Sequence, residues 1–113
     1  MTGSGKTLAF ALPIVEQLRI EKSLGSRKIQ AIVLAPTREL AIQVTNTFQY
    51  LKHTGSEFDC LTVYGGMPIE PQTNQLQRGV DIFVGTTGRV LDHIERGNID
   101  FSELKTIVLD EAD

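Results

Sequence analysis

Two groups of residues, one near each end of the sequence, have the types and spacing for phosphate chemistry. Thr2-Gly3-Ser4-Gly5-Lys6-Thr7 matches the later part of the pattern G-x-x-x-x-G-K-[ST]. In that pattern successive backbone N–H groups surround phosphate oxygens, the lysine ammonium reaches the outer phosphates, and the final hydroxyl meets Mg²⁺. Gly5, Lys6 and Thr7 fill its last three positions, so its first position falls one residue before Met1, and an apolar strand is expected upstream. A Gly/Ser-rich flexible terminus is the bland alternative. Against it, Leu8, Ala9, Phe10, Ala11, Leu12, Ile14, Val15 and Leu18 continue as an apolar helix, whose N-terminus would aim its dipole at phosphates. Pro13 should kink that helix or sit late in its first turns.

The second group is Val108-Leu109-Asp110-Glu111-Ala112-Asp113. An apolar strand ending in an acid places a carboxylate where it can hold Mg²⁺, usually through water, opposite the hydroxyl of Thr7. Glu111 beside it is placed to orient or deprotonate an attacking water. Transfer of a phosphoryl group to water depends on such positioning more than on covalent chemistry. Acidic loop residues are commonly just solvated, so the acids gain weight from their pairing with Gly5-Lys6-Thr7.

The elements that must position these groups alternate. Ser23 to Lys28 is a polar connection, and Ala31 to Ala35 is a continuous apolar run, as expected of a strand buried on both faces of a parallel sheet. Pro36 stops it, and Thr37 can cap a helix with Glu39 in its first turn. Leu40, Ala41, Val44, Phe48 and Leu51 give that helix one apolar face, and it should end near His53-Thr54-Gly55. A strand at Cys60 to Tyr64 stops at Gly65-Gly66. A short polar helix covers Ile69 to Arg78, between Pro68 and Gly79. Asp81 to Thr86 is a third strand, followed by a helix over Arg89 to Arg96 with Val90, Leu91 and Ile94 inward. A turn at Gly97-Asn98 and a helical turn near Ser102 to Leu104 precede the last strand, Thr106 to Leu109. The alternation predicts an α/β fold with a parallel sheet flanked by helices and right-handed crossovers. Ligands of such sheets bind beyond the carboxyl ends of the strands. Pro36-Thr37-Arg38-Glu39, Gly65-Gly66, Thr86-Thr87-Gly88-Arg89 and the final acids all follow strands, so the topology puts them on one edge.

Composition narrows the class. At 113 residues the chain is at most one small domain, short for a complete nucleotide-binding unit. Hydrophobic content of 41% and charged content of 22% fit an ordinary globular chain. The net charge of −3 gives no basic footprint for nucleic acid. The single cysteine, Cys60, excludes an internal disulfide, fits a reducing intracellular setting and reads as a buried inert thiol. No run approaches a membrane span, and no signal-peptide pattern is present. Asp92 and His93 read as solvated helix positions, and His53 as a helix-end residue near terminal carbonyls.

Taken together, Thr2-Gly3-Ser4-Gly5-Lys6-Thr7, Ala35-Pro36-Thr37-Arg38-Glu39-Leu40-Ala41, Gly65-Gly66, Thr86-Thr87-Gly88-Arg89 and Asp110-Glu111-Ala112-Asp113 resemble the ordered motifs of the DEAD-box RNA helicase family. The run from Gly79 to Asp113 is also similar to the nucleolar Gu-type branch. The resemblance implies a RecA-like P-loop NTPase fold, ATP and Mg²⁺ as cofactors, RNA as substrate, and a second RecA-like domain as partner across a cleft. By motif, Thr2, Gly3, Ser4, Gly5 and Lys6 would bind the phosphates, Thr7 and Asp110 would hold Mg²⁺, and Glu111 would activate water. Asp113 would couple the site to a serine–alanine–threonine motif. Pro36, Thr37, Arg38, Gly66, Thr86, Gly88 and Arg89 would line the RNA backbone path. The compartment, nucleolar or cytoplasmic, is not fixed by these motifs.

That path explains how an acidic chain could bind RNA. Helix N-termini after Pro36 and Thr87 offer N–H groups to phosphates, and Arg38 and Arg89 add local charge. Such contacts select RNA geometry and the 2′-hydroxyl, not sequence. The alternative for both arginines is a salt bridge with a nearby carboxylate, and Gly65-Gly66 could be a plain turn. The family usually has proline at Thr87, where a threonine hydroxyl could cap the helix instead. The upstream glutamine motif, the downstream coupling motif and a second domain are not in the sequence. The expectation is therefore a piece of the first ATP-binding RecA-like domain spanning 1–113, marginal or unfolded and inactive when isolated, with its last strand an unpaired edge. A truncated, non-catalytic nucleotide- or RNA-binding module is the competing reading.

Overall fold

The computed structural model describes residues 4–18, 27–52 and 57–110, with the side chain of Ser4 outside that description. Four strands, β1 (Ala31–Ala35), β2 (Cys60–Val63), β3 (Ile82–Thr86) and β4 (Thr106–Leu109), form one parallel sheet in the order β2-β3-β1-β4. Four helices accompany them: α1 (Ser4–Gln17), α2 (Arg38–Lys52), α3 (Ile69–Arg78) and α4 (Thr87–Glu95). The parallel α/β expectation is met, with most strand bounds within a residue of those read from the sequence.

Alternation along the strands builds two cores. Ala31, Val33 and Ala35 of β1, with Ile82 and Val84 of β3, face α1 and α2, whose Ala11, Ile14, Ala41, Val44, Phe48 and Leu51 complete a buried cluster. Ile32 of β1, Phe83 of β3, and Leu61 and Val63 of β2 face the other way, onto Leu76 of α3 and Val90 of α4. Each strand of the middle of the sheet is therefore covered on both faces, which is why its sequence reads as an unbroken apolar run. β4 differs: Ile107 and Leu109 are 60% and 59% exposed. Among the described residues it is one of the sheet's two outer strands, β2 being the other, and its free edge is as expected.

Several local expectations change. α1 runs continuously through Pro13, which is exposed in its third turn. A proline there removes only its own N–H from the helix ladder, and solvent can reach the freed carbonyl. α4 begins at Thr87, two residues before the expected start; Val90 and His93 are buried and Ile94 packs against the core, while Leu91 is 50% exposed. The reading of Leu91 as inward and His93 as solvated is thus corrected. The polar residue took the core position because partners wait for it there.

Gly85 explains how closely β3, β2 and α4 meet. A Cβ on it would lie 2.5 Å from Val63 Cγ2 and 2.7 Å from Val90 Cγ2, so only hydrogen fits. At the opposite, amino-terminal edge, Asp81 is fully buried. It accepts a hydrogen bond from Asp59 N at 2.9 Å and lies 3.5 Å from Arg27 Nε. Burial pushes its carboxyl above the usual aspartate value, against the pull of the backbone hydrogen bond and Arg27. Cys60, in β2, is pushed up to about 12 by burial, consistent with an inert thiol.

Candidate nucleotide and RNA site

Register fixes where the polar clusters meet. Ala35 pairs with Thr86, and Leu34 pairs with Leu109. The ladder continues one residue further, with Asp110 N donating to Leu34 O at 2.8 Å. Pro36, Thr87 and Asp110 consequently leave adjacent strands at the same edge, and Tyr64 leaves β2 beside them. In-register parallel pairing brings the ends of these strands together.

Each cluster has its own local cause. Thr37 caps α2 as expected: its Oγ1 accepts from Leu40 N at 3.2 Å, and its carbonyl from Ala41 N at 3.0 Å. Pro36, Thr37 and Arg38 are all exposed, so the N-terminal turn of α2 faces solvent. The Arg38 guanidinium lies over the Tyr64 ring, 5.1 Å from its centre. Gly66 has φ of +89°, a left-handed conformation that glycine adopts without penalty, and it turns the chain toward α3.

The Thr86-Thr87-Gly88-Arg89 segment is built differently from the reading above. Thr86 occupies the cap position of α4 with φ −70° and ψ 147°, and no side-chain cap hydrogen bond forms. Thr87 is the first helical residue, so its hydroxyl does not cap the helix. Proline needs no donor at this position and has the right φ already, which is why it suits the place where the family resemblance leads one to expect it. Gly88 is exposed. Arg89 turns back toward β2: its Nη1 donates to Met67 O at 2.9 Å and to Gln72 Oε1 at 3.0 Å. Among the described residues neither Arg38 nor Arg89 pairs with a carboxylate within salt-bridge distance, so the salt-bridge alternative is not what the described structure shows.

Sequence reading missed the side chains behind Arg89. Gln72 Oε1 also accepts from His93 Nε2 at 2.9 Å, and His93 Nδ1 faces Asn98 Nδ2 at 3.0 Å. His93 is fully buried, edge-on to Phe83 with ring centres 5.9 Å apart. Desolvation, then the nearby Arg89 charge, lowers its pKa and keeps the imidazole neutral. A signal existed. Gln72 stands four residues before the buried Leu76, and His93 three after the buried Val90, so both occupy apolar-face positions of their helices.

At the phosphate end, Gly5, Lys6 and Thr7 lie in the first turn of α1; Gly5 and Lys6 are exposed, and Thr7 is buried. A Cβ on Gly5 would meet nothing, leaving open space against the helix terminus. The Thr7 hydroxyl and the Asp110 carboxylate are hard oxygen donors that fit a phosphate-bound Mg²⁺, which takes few protein ligands, while the Lys6 ammonium suits the phosphate itself. No group of three or more His, Cys, Asp or Glu that could hold a metal occurs among the described residues. Thr2, Gly3, Glu111 and Asp113 lie outside the described residues, as does the expected helix end at His53-Thr54-Gly55.

The DEAD/DEAH box helicase family model matches residues 1–113. The chain belongs to that family. It is 48% identical over 114 residues to DEAD-box ATP-dependent RNA helicase 53 of rice, covering 99% of this chain and 18% of the relative. It is 47% identical over 116 residues to the ATP-dependent RNA helicase RhlB of Shewanella piezotolerans, covering 26% of that protein. Among solved structures, a DEAD box protein from Methanococcus jannaschii superposes with a TM-score of 0.83 at 44% identity, over the whole of this chain and 29% of that one. The yeast DEAD-box splicing factor Prp28 gives 0.82 at 36% identity, over 27% of its chain. This DEAD-box chain therefore spans under a third of the length of these relatives, with the helices and parallel sheet of their RecA-like fold.

Proposed function

We propose that these residues form part of the first, ATP-binding RecA-like domain of an ATP-dependent RNA helicase, in which ATP hydrolysis is coupled to local separation of RNA strands. The observation that carries this reading is the in-register edge: Pro36, Thr86-Thr87 and Asp110 emerge side by side from β1, β3 and β4. One such edge supplies both halves of the chemistry.

On the nucleotide side, Lys6 and the N–H groups of the first turn of α1 bind phosphate, and Thr7 and Asp110 hold Mg²⁺. The metal supplies charge neutralisation on the phosphate oxygens. Glu111 orients and deprotonates the attacking water, and Asp113 links the site to the coupling motif. On the RNA side, the N-terminal turns of α2 and α4 present N–H groups to phosphates, with Arg38 and Arg89 adding charge. Contacts of this kind are made to the backbone, so RNA sequence is not read directly. A second RecA-like domain closes the cleft over both ligands. The setting is intracellular, supported by the single cysteine, which has no partner for an internal disulfide; no described helix is long and apolar enough to cross a membrane.

The test is ATP turnover by the full-length protein carrying this segment, with and without single-stranded RNA. RNA-stimulated hydrolysis that Lys6→Ala and Glu111→Gln each reduce by at least about a hundredfold is expected, the scale of removing one group from a preorganised site. Turnover indifferent to both substitutions, or no RNA response at all, would overturn the reading in favour of a non-catalytic module.

A further inference from the structure

The buried polar cluster behind α4 belongs to no motif named above, yet it ends on Arg89. Its protonation pattern follows from one residue. An arginine guanidinium can only donate hydrogen bonds, so the Gln72 atom 3.0 Å from Arg89 Nη1 must be the amide oxygen. That same oxygen lies 2.9 Å from His93 Nε2, which must therefore carry the proton. His93 Nδ1 is left as an acceptor, and Asn98 Nδ2 supplies it at 3.0 Å. The second Asn98 hydrogen reaches Thr73 Oγ1 at 3.1 Å, and Thr73 in turn donates to Ile69 O at 3.2 Å. The chain of bonds runs without conflict from the Gly97-Asn98 turn through α4 to α3.

One group in it is unmatched. Gln72 Nε2 is buried and has no hydrogen-bond partner among the described residues. Leaving a buried amide donor unpaired costs stability, and an apolar side chain there would instead leave the buried His93 N–H without its acceptor. What the amide provides is an oxygen that receives Arg89 and His93 together. The result holds the Arg89 guanidinium against Met67 O at 2.9 Å, directly after the Gly65-Gly66 turn.

We propose that Gln72 is a positioning residue for RNA binding, fixing the direction of Arg89 and tying the Gly65-Gly66-Met67 turn to α4 so that both meet the RNA backbone as one rigid surface. The proposal rests on the RNA role given to Arg89 above. A guanidinium held by two acceptors loses little conformational entropy when its remaining donors take a phosphate, whereas an untethered one must be ordered on binding.

The test uses the full-length protein. Three quantities are measured: the RNA concentration for half-maximal stimulation of ATP hydrolysis, the KM for ATP, and the His93 ring nitrogens by long-range ¹H–¹⁵N correlation. Gln72→Leu should raise the RNA half-saturation about tenfold, the scale of one hydrogen bond to a charged group, with the KM for ATP within about twofold. Gln72→Glu retains an acceptor for both donors and should restore RNA half-saturation to within about twofold of the unaltered protein, while raising the His93 titration midpoint. In an Arg89→Ala background, Gln72→Leu should add nothing further. An RNA half-saturation unmoved by Gln72→Leu, or an equal further loss in the Arg89→Ala background, would overturn the proposal. Should Gln72→Leu not fold, Gln72→Glu decides: weakened RNA binding by that folded variant overturns it. Failure of the proposed function would look different, as unaltered protein showing no response to RNA.

Discussion

The Arg38 guanidinium and the Tyr64 ring, joined across the carboxyl edge of the sheet at 5.1 Å, link the end of β2 to the start of α2. The ring carries no net charge, and the attraction is that of the guanidinium cation to the negative face of the aromatic system. At a partly exposed site such a pair contributes about 0.5–1 kcal/mol. Tyr64→Leu keeps the bulk and removes the ring, so RNA affinity of the full-length protein should fall roughly two- to fivefold. A fluorescence titration with single-stranded RNA checks this. An unchanged affinity would mean that Arg38 is held by its backbone alone.

Thr87→Pro should stabilise the protein by about 0.4–1 kcal/mol, because the native conformation already suits proline and the unfolded chain loses freedom. Thr87 is the first residue of α4, where no N–H partner is lost. Thr86 before it has φ −70° and ψ 147°, the extended geometry that a following proline demands. A denaturant midpoint that moves upward, with unchanged slope, is the expected result. The identity of this position was readable as a departure from the family, but its consequence was not. Whether a threonine caps a helix or begins it turns on one residue of register, and the hydrophobic pattern locates helix ends less sharply than that.

The same limit divides what was legible from what was not. Strands β1 and β3 announced themselves because both faces are covered, so Ala31 to Ala35 and Ile82 to Val84 had to be apolar throughout. The edge carrying the candidate site followed from their parallel direction. Gln72 and His93 escaped because a polar side chain on an inward position is recognisable only once its partner, far along the chain, is known. Tyr64 escaped for a related reason: the cation above it comes from another element, Arg38 of α2.

Gly85→Ala should destabilise by about 1–3 kcal/mol, the cost of overpacking a filled core. Its new methyl would collide with Val63 and Val90, which pin β2 and α4 to β3. Both neighbours are buried β-branched side chains with little freedom to turn aside. Trimming one of them, as in Gly85→Ala with Val63→Ala, should recover part of the loss, since the Val63 Cγ2 clash is the closer. Thermal melting of the single and double variants tests the pairing. Additive losses in the double variant would mean that the backbone shifts and the side chains do not meet.

His93 gives the protein a pH dependence of defined sign. Its pKa in the folded state is lowered from the ordinary 6.5 by burial first and by Arg89 second. Between the two values the unfolded chain binds a proton that the folded chain does not, so stability rises with pH there. The contribution is complete above about pH 6.5 and is lost as pH falls through the lowered value. Asp81 acts in the opposite sense and lower on the scale: its raised pKa favours the folded state below the ordinary aspartate value and costs stability as pH rises through the raised one. The opposite signs of the two effects separate the groups experimentally. Unfolding free energies measured from pH 5 to pH 7 should slope upward in the unaltered protein, and His93→Phe, which keeps a ring against Phe83, should flatten that slope. A slope that survives the substitution would assign the titration elsewhere, because a protonated His93 would set its Nδ1 hydrogen against the amide of Asn98 and break the donor order that Arg89 imposes.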